Sequence, residues 1–284
     1  MKLGVSYNVF SNGVELLPYM IKPIRPFVDF ILINYQKVNY YGTKQIKQDD
    51  LNLINDLLRQ KIVDKINCFE ITNYAKTELE ASQIEAQKRN QGKLLCKEAG
   101  CTHFLDLDCD ETFKPDEFLK AKKYIMDHNI SYSICEYVNF YKWATIQGVR
   151  NPKQPRYSPF ICKITDNFEV KGGHEYCTKM VDGKTCSVDK SRGYNNTDAI
   201  PYLFPHNQIQ MMHMNFIRKN LREKWEAHPQ QLESITKNID FLVRQIEGLN
   251  RNNLKLHPKF CELLYLGKVD LVEVSNYFNI PVKL

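Results

Sequence analysis

The chain has 284 residues, 43% of them hydrophobic and 25% charged, the make-up of an ordinary soluble globule with one large domain, or one domain and an appendage. Thirty-nine basic against 33 acidic side chains leave a formal charge of +6, too mild for a nucleic-acid binder but suited to anionic substrates or an anionic membrane surface. No apolar run reaches membrane-spanning length, the N-terminus lacks a signal peptide's apolar core, and nine cysteines without metal-finger spacing fit reduced thiols, so a cytoplasmic location is expected. The sequons at Asn129 and Asn195 are then expected to be incidental.

Strand and helix signals alternate through the first half. Leu3 to Val9 reads as a strand, Ser11-Asn12-Gly13 as a turn and cap, and Val14 to Ile21 as a short helix stopped at Pro23. Phe27 to Asn34 is an apolar, β-rich run expected of a buried parallel strand. Leu51, Ile54, Leu58 and Ile62 mark one face of a helix capped by Asp49 or Asp50. Ile66 to Ile71 is a further strand, and a long helix from about Thr77 to Ala99 closes on Gly100. This alternation predicts a three-layer sheet with right-handed crossovers, whose ligands bind beyond the carboxyl ends of the strands.

The next strand carries the chemistry. Thr102 to Phe113 climbs from an apolar run into Asp106, Asp108, Asp110 and Glu111, four acids in six residues. Alternate side chains of a strand share a face, so Asp106 and Asp108 project together, and Asp110 can swing alongside past the strand end. Acids packed this closely raise one another's pKa unless a cation sits between them, and a hard divalent ion such as Mg²⁺ or Mn²⁺ is the natural partner for such oxygens. A solvated strand end followed by an acidic helix cap is the plainer alternative.

In the second half, Ser131 to Tyr141 reads as an aromatic-rich strand and Gly148 to Pro159 as a loop; Lys171-Gly172-Gly173 and Asp182-Gly183 signal hairpins. From about Asn215 the chain reads as helical, with Leu232, Ile235, Ile239, Leu242 and Ile246 at helical spacing.

Four stretches, in this order and spacing, resemble glycosyltransferases of the GT-A fold, close to the family-two-like transferases of bacterial and viral surface glycans. They are the opening Val5-Ser-Tyr-Asn-Val-Phe-Ser-Asn-Gly, Glu85-Ala-Gln-Lys-Arg-Asn, the DxD-like Asp106-Leu-Asp-Cys-Asp-Glu, and the pair Gly172-Gly-His-Glu-Tyr with Met212-His-Met-Asn-Phe-Ile-Arg-Lys. The likeness covers roughly residues 1 to 225. It implies an α/β fold with a mixed, mainly parallel sheet sandwiched by helices, to which the helical reading of the last residues adds a C-terminal helical extension. Residues 1–214 would form the nucleotide-sugar and acceptor-binding domain and 215–284 the extension. It further implies transfer of a sugar from a nucleotide-sugar donor, a UDP-sugar first, to a glycan or lipid-linked acceptor hydroxyl, with inversion.

On that reading Asp110 binds Mn²⁺ or Mg²⁺, Asp108 the ion or the ribose hydroxyls, and His213 completes the ion's shell, with His206 as a competitor. Asp106 lies deeper and is equally read as a buried carboxylate bonded to a neighbouring loop. Arg218, Lys219, Arg222 and Lys224 are expected to hold the phosphates, or to be a solvated helix face. Lys88 and Arg89 reach the diphosphate or the base, or lie on an exposed helix face; Tyr7 and Gln36 are placed at the nucleoside. Glu175 is the expected base, oriented by His174, with Glu136 and Asp182 as alternatives. Tyr137, Tyr141 and Trp143 stack on acceptor sugars or belong to the core. The basic C-terminal helices are expected to offer peripheral contact with an anionic leaflet, or to serve as a lid or dimer contact.

Two rivals stand beside this. The Asp108-Cys-Asp110-Glu-Thr-Phe run also matches a haloacid-dehalogenase-type, Mg²⁺-dependent phosphatase with Asp108 as nucleophile and Asp110 as acid/base, for which Val269 to Glu273 would have to supply the later acids. A non-catalytic nucleotide-sugar-binding protein is the other. The metal reading also carries its own counter-pattern: carboxylates turned from any cleft onto guanidinium groups.

Overall fold

A computed structural model describes residues 1–149, 155–166, 168–171, 177–181, 184–188, 192, 194–195, 201–226, 233–264, 266 and 269–281. The first half alternates as expected: β1 (Leu3–Val9), α1 (Leu17–Ile21), β2 (Phe30–Tyr35), α2 (Gln48–Arg59), β3 (Lys65–Cys68), α3 (Glu78–Glu98) and β4 (His103–Asp108). Then come β5 (Glu111–Thr112), α4 (Pro115–Asp127), β6 (Tyr132–Tyr141), β7 (Trp143–Gly148), β8 (Tyr157–Lys163), β9 (Glu169–Val170), β10 (Cys177–Val181), β11 (Lys184–Val188), β12 (Tyr194–Asn195), β13 (Tyr202–Leu203) and β14 (Gln210–Phe216). The C-terminal part contains α5 (Leu221–Glu226), α6 (Glu233–Thr236), α7 (Ile239–Glu247), α8 (Pro258–Leu263) and β15 (Leu271–Glu273).

The main path of the sheet runs β15-β7-β6-β8-β4-β1-β2-β3. Its N-terminal part, β4-β1-β2-β3, is parallel throughout; β8 joins β4 and β6 antiparallel, and β13 and β14 pair with β6 in parallel. The expected class, an α/β fold with a mixed and mainly parallel sheet between helices and a helical C-terminal part, is the one observed.

Every residue of β1 is buried, as a strand covered on both faces must be. Leu3, Val5, Tyr7 and Val9 join the main core with Ile54 and Leu57 of α2 and Phe118, Ala121 and Ile125 of α4. The alternate residues face α3 and are small or polar. A Cβ at Gly4 would sit 2.8 Å from the Cys96 Cβ, and one at Gly92 would overlap Ser6 Oγ and lie 2.9 Å from Ser6 Cβ. Helix and strand therefore approach backbone to backbone, which lets α3 deliver Lys88 and Arg89 to the carboxyl end of the sheet. α3 begins with a capping box, Thr77 accepting from the Glu80 amide while Glu80 accepts from the Thr77 amide, and ends before Gly100 at φ +80°.

Several boundaries differ from expectation. Arg25–Phe27 forms a 3-10 turn and the second strand starts at Phe30. Asp49 and Asp50 occupy the first turn of α2 rather than its cap, and Asp50 accepts instead from the Ser11 hydroxyl. Tyr157, Ser158 and Pro159, read as loop, begin β8. Asn215 and Phe216, read as the start of the helical part, end the strand 210–216 instead: Met212, Met214 and Phe216 are buried while His213 and Asn215 are half-buried, a period of two. Of the apolar stripe, Leu232 lies outside the described residues, and Ile235, Ile239, Leu242 and Ile246, spread over two short helices, pack on Tyr141, Ile146 and Phe216. β15 adds to the sheet edge against β7. Among the described residues no helix is long and apolar enough to cross a membrane, and seven cysteines are free thiols.

The close approach at Gly92 is testable. In an exposed helix Gly→Ala gains roughly 1 kcal/mol. Here Gly92→Ala is expected to destabilise the fold by on the order of 1–3 kcal/mol in urea denaturation, because the methyl group displaces α3 from β1.

Candidate functional site

The carboxyl ends of β1 and β4 lie side by side, with Asn8 opposite Asp108 in register. Asp106 is fully buried there, accepting from Asn8 Nδ2 and from Arg89 Nη1 at 2.8 Å. It is thus a structural carboxylate, and its partners are a strand and a helix rather than a loop.

Asp108 sits one turn of the pleat further out, its side chain 33% exposed. Oδ1 accepts from Arg89 Nη2 at 2.9 Å and Oδ2 from Arg192 Nη2 at 2.6 Å. Burial opposes ionisation of this carboxyl, but Arg192 and then Arg89 prevail and bring it down to about 2. Glu111, 1% exposed, takes Arg192 through both oxygens at 2.7 Å, and its Oε2 also accepts from the Asp108 amide at 2.8 Å. For Glu111 burial wins, and its pKa is raised despite the pull of Arg192.

Asp110 is the most heavily compensated acid. Its side chain is 3% exposed, and Oδ2 meets Arg218 Nη2, His213 Nε2 at 3.3 Å and Lys224 Nζ at 3.5 Å. Against the cost of burial, Arg218, His213 and Lys224 hold the carboxyl well below its ordinary value. Arg218 is itself anchored, Nη1 donating to the Asn12 carbonyl and side chain. Gly13, at φ +97°, makes room for it; a Cβ there would run into the guanidinium. β14 brings His213 into register with Glu111 of β5 and Asn139 of β6, with the Tyr137 ring edge-on 5.8 Å away.

The expected ligand set is therefore only partly assembled. Asp110 and His213 come together; Asp108 turns to Arg89 and Arg192, and among the described residues no three His, Cys, Asp or Glu side chains converge on one point. Both motif acids carry guanidinium groups, half of the counter-pattern anticipated from sequence, yet Asp108 remains one-third open. The Asp110 Oδ2 to His213 Nε2 spacing of 3.3 Å is close to the cis separation of two donors on an octahedral ion with bonds of about 2.1 Å. Mg²⁺-type sites commonly use one or two protein ligands and complete the shell with water and substrate phosphate. The donor chemistry fits such an ion, while His213 Nδ1, buried without a hydrogen-bond partner among the described residues, lacks the outer bond that usually orients a ligating imidazole.

Lys88 and Gln36 are placed together. Lys88 Nζ donates to the Val9 carbonyl at 2.8 Å and to Gln36 Oε1 at 2.9 Å, tying the ends of β1 and β2. Both residues are buried, and neither Lys88 nor Arg89 lies on an exposed helix face. Tyr7 is not at the site: its ring is wholly in the core and its hydroxyl donates to the Met20 carbonyl at 3.0 Å. The nucleoside role expected of Tyr7 fails on that burial. Tyr141 is likewise core, stacked on Phe216. Glu136 is buried and His206 exposed. Glu175, His174 and Asp182 lie outside the described residues. Arg192 had no sequence signal, being a lone arginine in a polar stretch. A cavity of about 340 Å³ opens at Asn12 and Gly13, lined by Lys47 and Lys219 together with the acids Glu15, Asp49, Asp50 and Glu223.

No protein-family model matches this chain, and no curated protein sequence matches it. Among solved structures it is similar to S. aureus TarS. Against TarS 1–349 in complex with UDP the identity is 14%, with 93% of this chain and 79% of that one covered and a TM-score of 0.40. Against the complex with UDP-GlcNAc the values are 13%, 93%, 80% and 0.39. The chain spans 63% of TarS 1–349 in a further crystal structure, at 11% identity, 80% of this chain covered and a TM-score of 0.39.

Two outcomes test the charge arrangement. Arg192→Met strands Glu111 and is expected to lower stability by about 3–5 kcal/mol, whereas the Arg192→Met/Glu111→Met pair recovers most of that loss in urea denaturation. Burial, helped by Arg89, brings Lys88 from 10.5 to about 7. The unfolded chain then binds the extra proton between those values, so this lysine makes stability rise with pH across that window and contributes a constant cost below it. The stability difference between the wild-type chain and Lys88→Met should accordingly change across pH 7 to 10 and level off below 7.

Proposed function

We propose that this chain is a metal-dependent glycosyltransferase of the GT-A type. It moves a sugar from a nucleotide-sugar donor, a UDP-sugar first, to a hydroxyl of a glycan or lipid-linked acceptor, with inversion at the anomeric carbon. The observation that carries the reading is the meeting of Asp110 and His213 with Arg218 and Lys224 beside the carboxyl ends of β1 and β4, the edge at which α/β sheets hold phosphorylated ligands.

Asp110 and His213 hold the ion in this proposal, and the open Asp108 takes the ion or the ribose hydroxyls. Bound there, Mn²⁺ or Mg²⁺ supplies Lewis-acid stabilisation of the charge growing on the departing diphosphate. Arg218 and Lys224 face the same charge and hold the phosphates. Arg89 acts by positioning Asp108, and Lys88 with Gln36 shapes the strand ends on which the nucleoside rests. Glu175, oriented by His174, takes the proton of the acceptor hydroxyl on the side opposite the leaving group. Residues 1–214 form the catalytic domain and 215–284 the extension, whose cations supply a peripheral contact to an anionic leaflet on the cytoplasmic side.

The phosphatase alternative finds no support in the topology. The acids of its required later strand would have to flank Asp108, but β15 lies at the sheet edge, with β7, β6 and β8 between it and β4. A binding protein without turnover is separated by experiment. Thermal stabilisation by a panel of UDP-, GDP- and CMP-sugars, with and without Mn²⁺, reads donor binding. Asp110→Asn is expected to abolish the Mn²⁺-dependent stabilisation, while Glu175→Gln retains it and loses sugar transfer. Full stabilisation of the Asn variant by donor plus Mn²⁺ refutes the metal assignment, and binding without transfer by the wild-type chain supports the binding-protein reading instead.

A further inference from the structure

One carboxylate oxygen, Asp110 Oδ2, faces Arg218, Lys224 and His213 at once. The two cations arrive from the segment after β14. Arg218 is 4% exposed and anchored to Asn12; Lys224 is 13% exposed and also donates to Asn215 Oδ1. Three further contacts pin that segment to the N-terminal half: Lys47 to Glu223 at 2.6 Å, Lys44 to Glu226 at 2.5 Å, and the Lys219 amide to Glu15 at 3.1 Å. Asp110 Oδ2 is thus occupied without any ion. A divalent ion approaching that oxygen alone meets two positive charges in a poorly solvated place and has to compete with them for it. A diphosphate arriving with the ion removes that obstacle, because its oxygens accept the hydrogen bonds Arg218 and Lys224 give up and complete the ion's shell.

We propose that Arg218 and Lys224 guard Asp110 in the free protein and yield it to the divalent ion only when the donor's diphosphate takes over their charge, so that ion and nucleotide bind as a coupled pair. The inference rests on the reading that Asp110 holds the ion, and it makes Arg218 and Lys224 positioning residues for the site as well as phosphate contacts. Linkage makes the coupling reciprocal: whatever factor UDP adds to Mn²⁺ affinity, Mn²⁺ adds to UDP affinity.

Mn²⁺ binding to the full chain, followed by electron paramagnetic resonance of the free ion, tests this with UDP as the nucleotide. UDP should tighten Mn²⁺ by about tenfold or more, within the usual span of coupling factors. Arg218→Met should bind Mn²⁺ without UDP several-fold tighter than the wild-type chain, while its UDP coupling shrinks. Lys224→Met should change both quantities in the same direction, and serves if Arg218→Met does not fold. A gain in ion affinity is not what mere structural damage produces. Equal Mn²⁺ affinity with and without UDP, in a chain that binds UDP, overturns the inference alone. So does Mn²⁺ affinity in the folded variants that is unchanged or weaker than wild type. Failure of UDP to bind at all, Mn²⁺ present, overturns the nucleotide-sugar reading and the coupling together.

Discussion

Four carboxylates crowded at the end of one buried strand repel one another, and the fold around them is arranged so that each meets a cation. Asp106 and Asp108 take Arg89 from α3, Asp108 and Glu111 take Arg192, and Asp110 takes Arg218 and Lys224 from the segment after β14. These partners are distant in sequence. The acidic strand end therefore doubles as the point at which the parallel sheet, Arg192 and the segment after β14 are electrostatically joined. Removing one partner of such a buried pair costs far more than the pair gains over an apolar substitute. Compensation is thus a condition of folding as well as of any chemistry.

That condition limits how the site handles ligands. The acids are not vacant oxygens waiting in water; three are almost wholly buried and all are hydrogen-bonded. An incoming group has to exchange with a guanidinium or an ammonium, and the exchange is favourable when the group brings both signs of charge, as a divalent ion with a diphosphate does. Asp108 differs. One-third exposed, with its backbone amide held by Glu111, it is the member of the set most open to a ligand while its direction stays determined.

The packing of α3 explains how this charge is delivered. Small residues on the α3-facing side of β1 let the helix approach closely, and the resulting polar layer of Ser6, Asn8, Asn34, Asp106, Lys88 and Arg89 runs beneath it toward the strand ends. The opposite face of β1 is apolar and supplies the main core. One strand thus serves stability on one side and function on the other, which is also why Tyr7 and Asn8, adjacent in sequence, have unrelated surroundings.

Periodicity by itself determined the alternating strands and helices of the first half, the capped helix between Thr77 and Gly100, and the acidic strand end, because each depends on residues near in sequence: caps, an apolar face, a turn glycine. It misplaced Asn215 and Phe216, read as the start of the helical part, which end a strand where the buried Met212, Met214 and Phe216 alternate with His213 and Asn215. What the acids touch was decided only by tertiary structure. Arg192 and Glu111 are 81 residues apart, and Arg218 and Asp110 are 108 apart. An ion pair has no period and no spacing rule, so a lone arginine in a polar stretch of sequence and one in a run of charged residues look alike until the chain brings them to a carboxylate. The same holds for Tyr7, whose place at a strand end suggested a ligand but whose face of the pleat, fixed by packing against the helices, put it in the core.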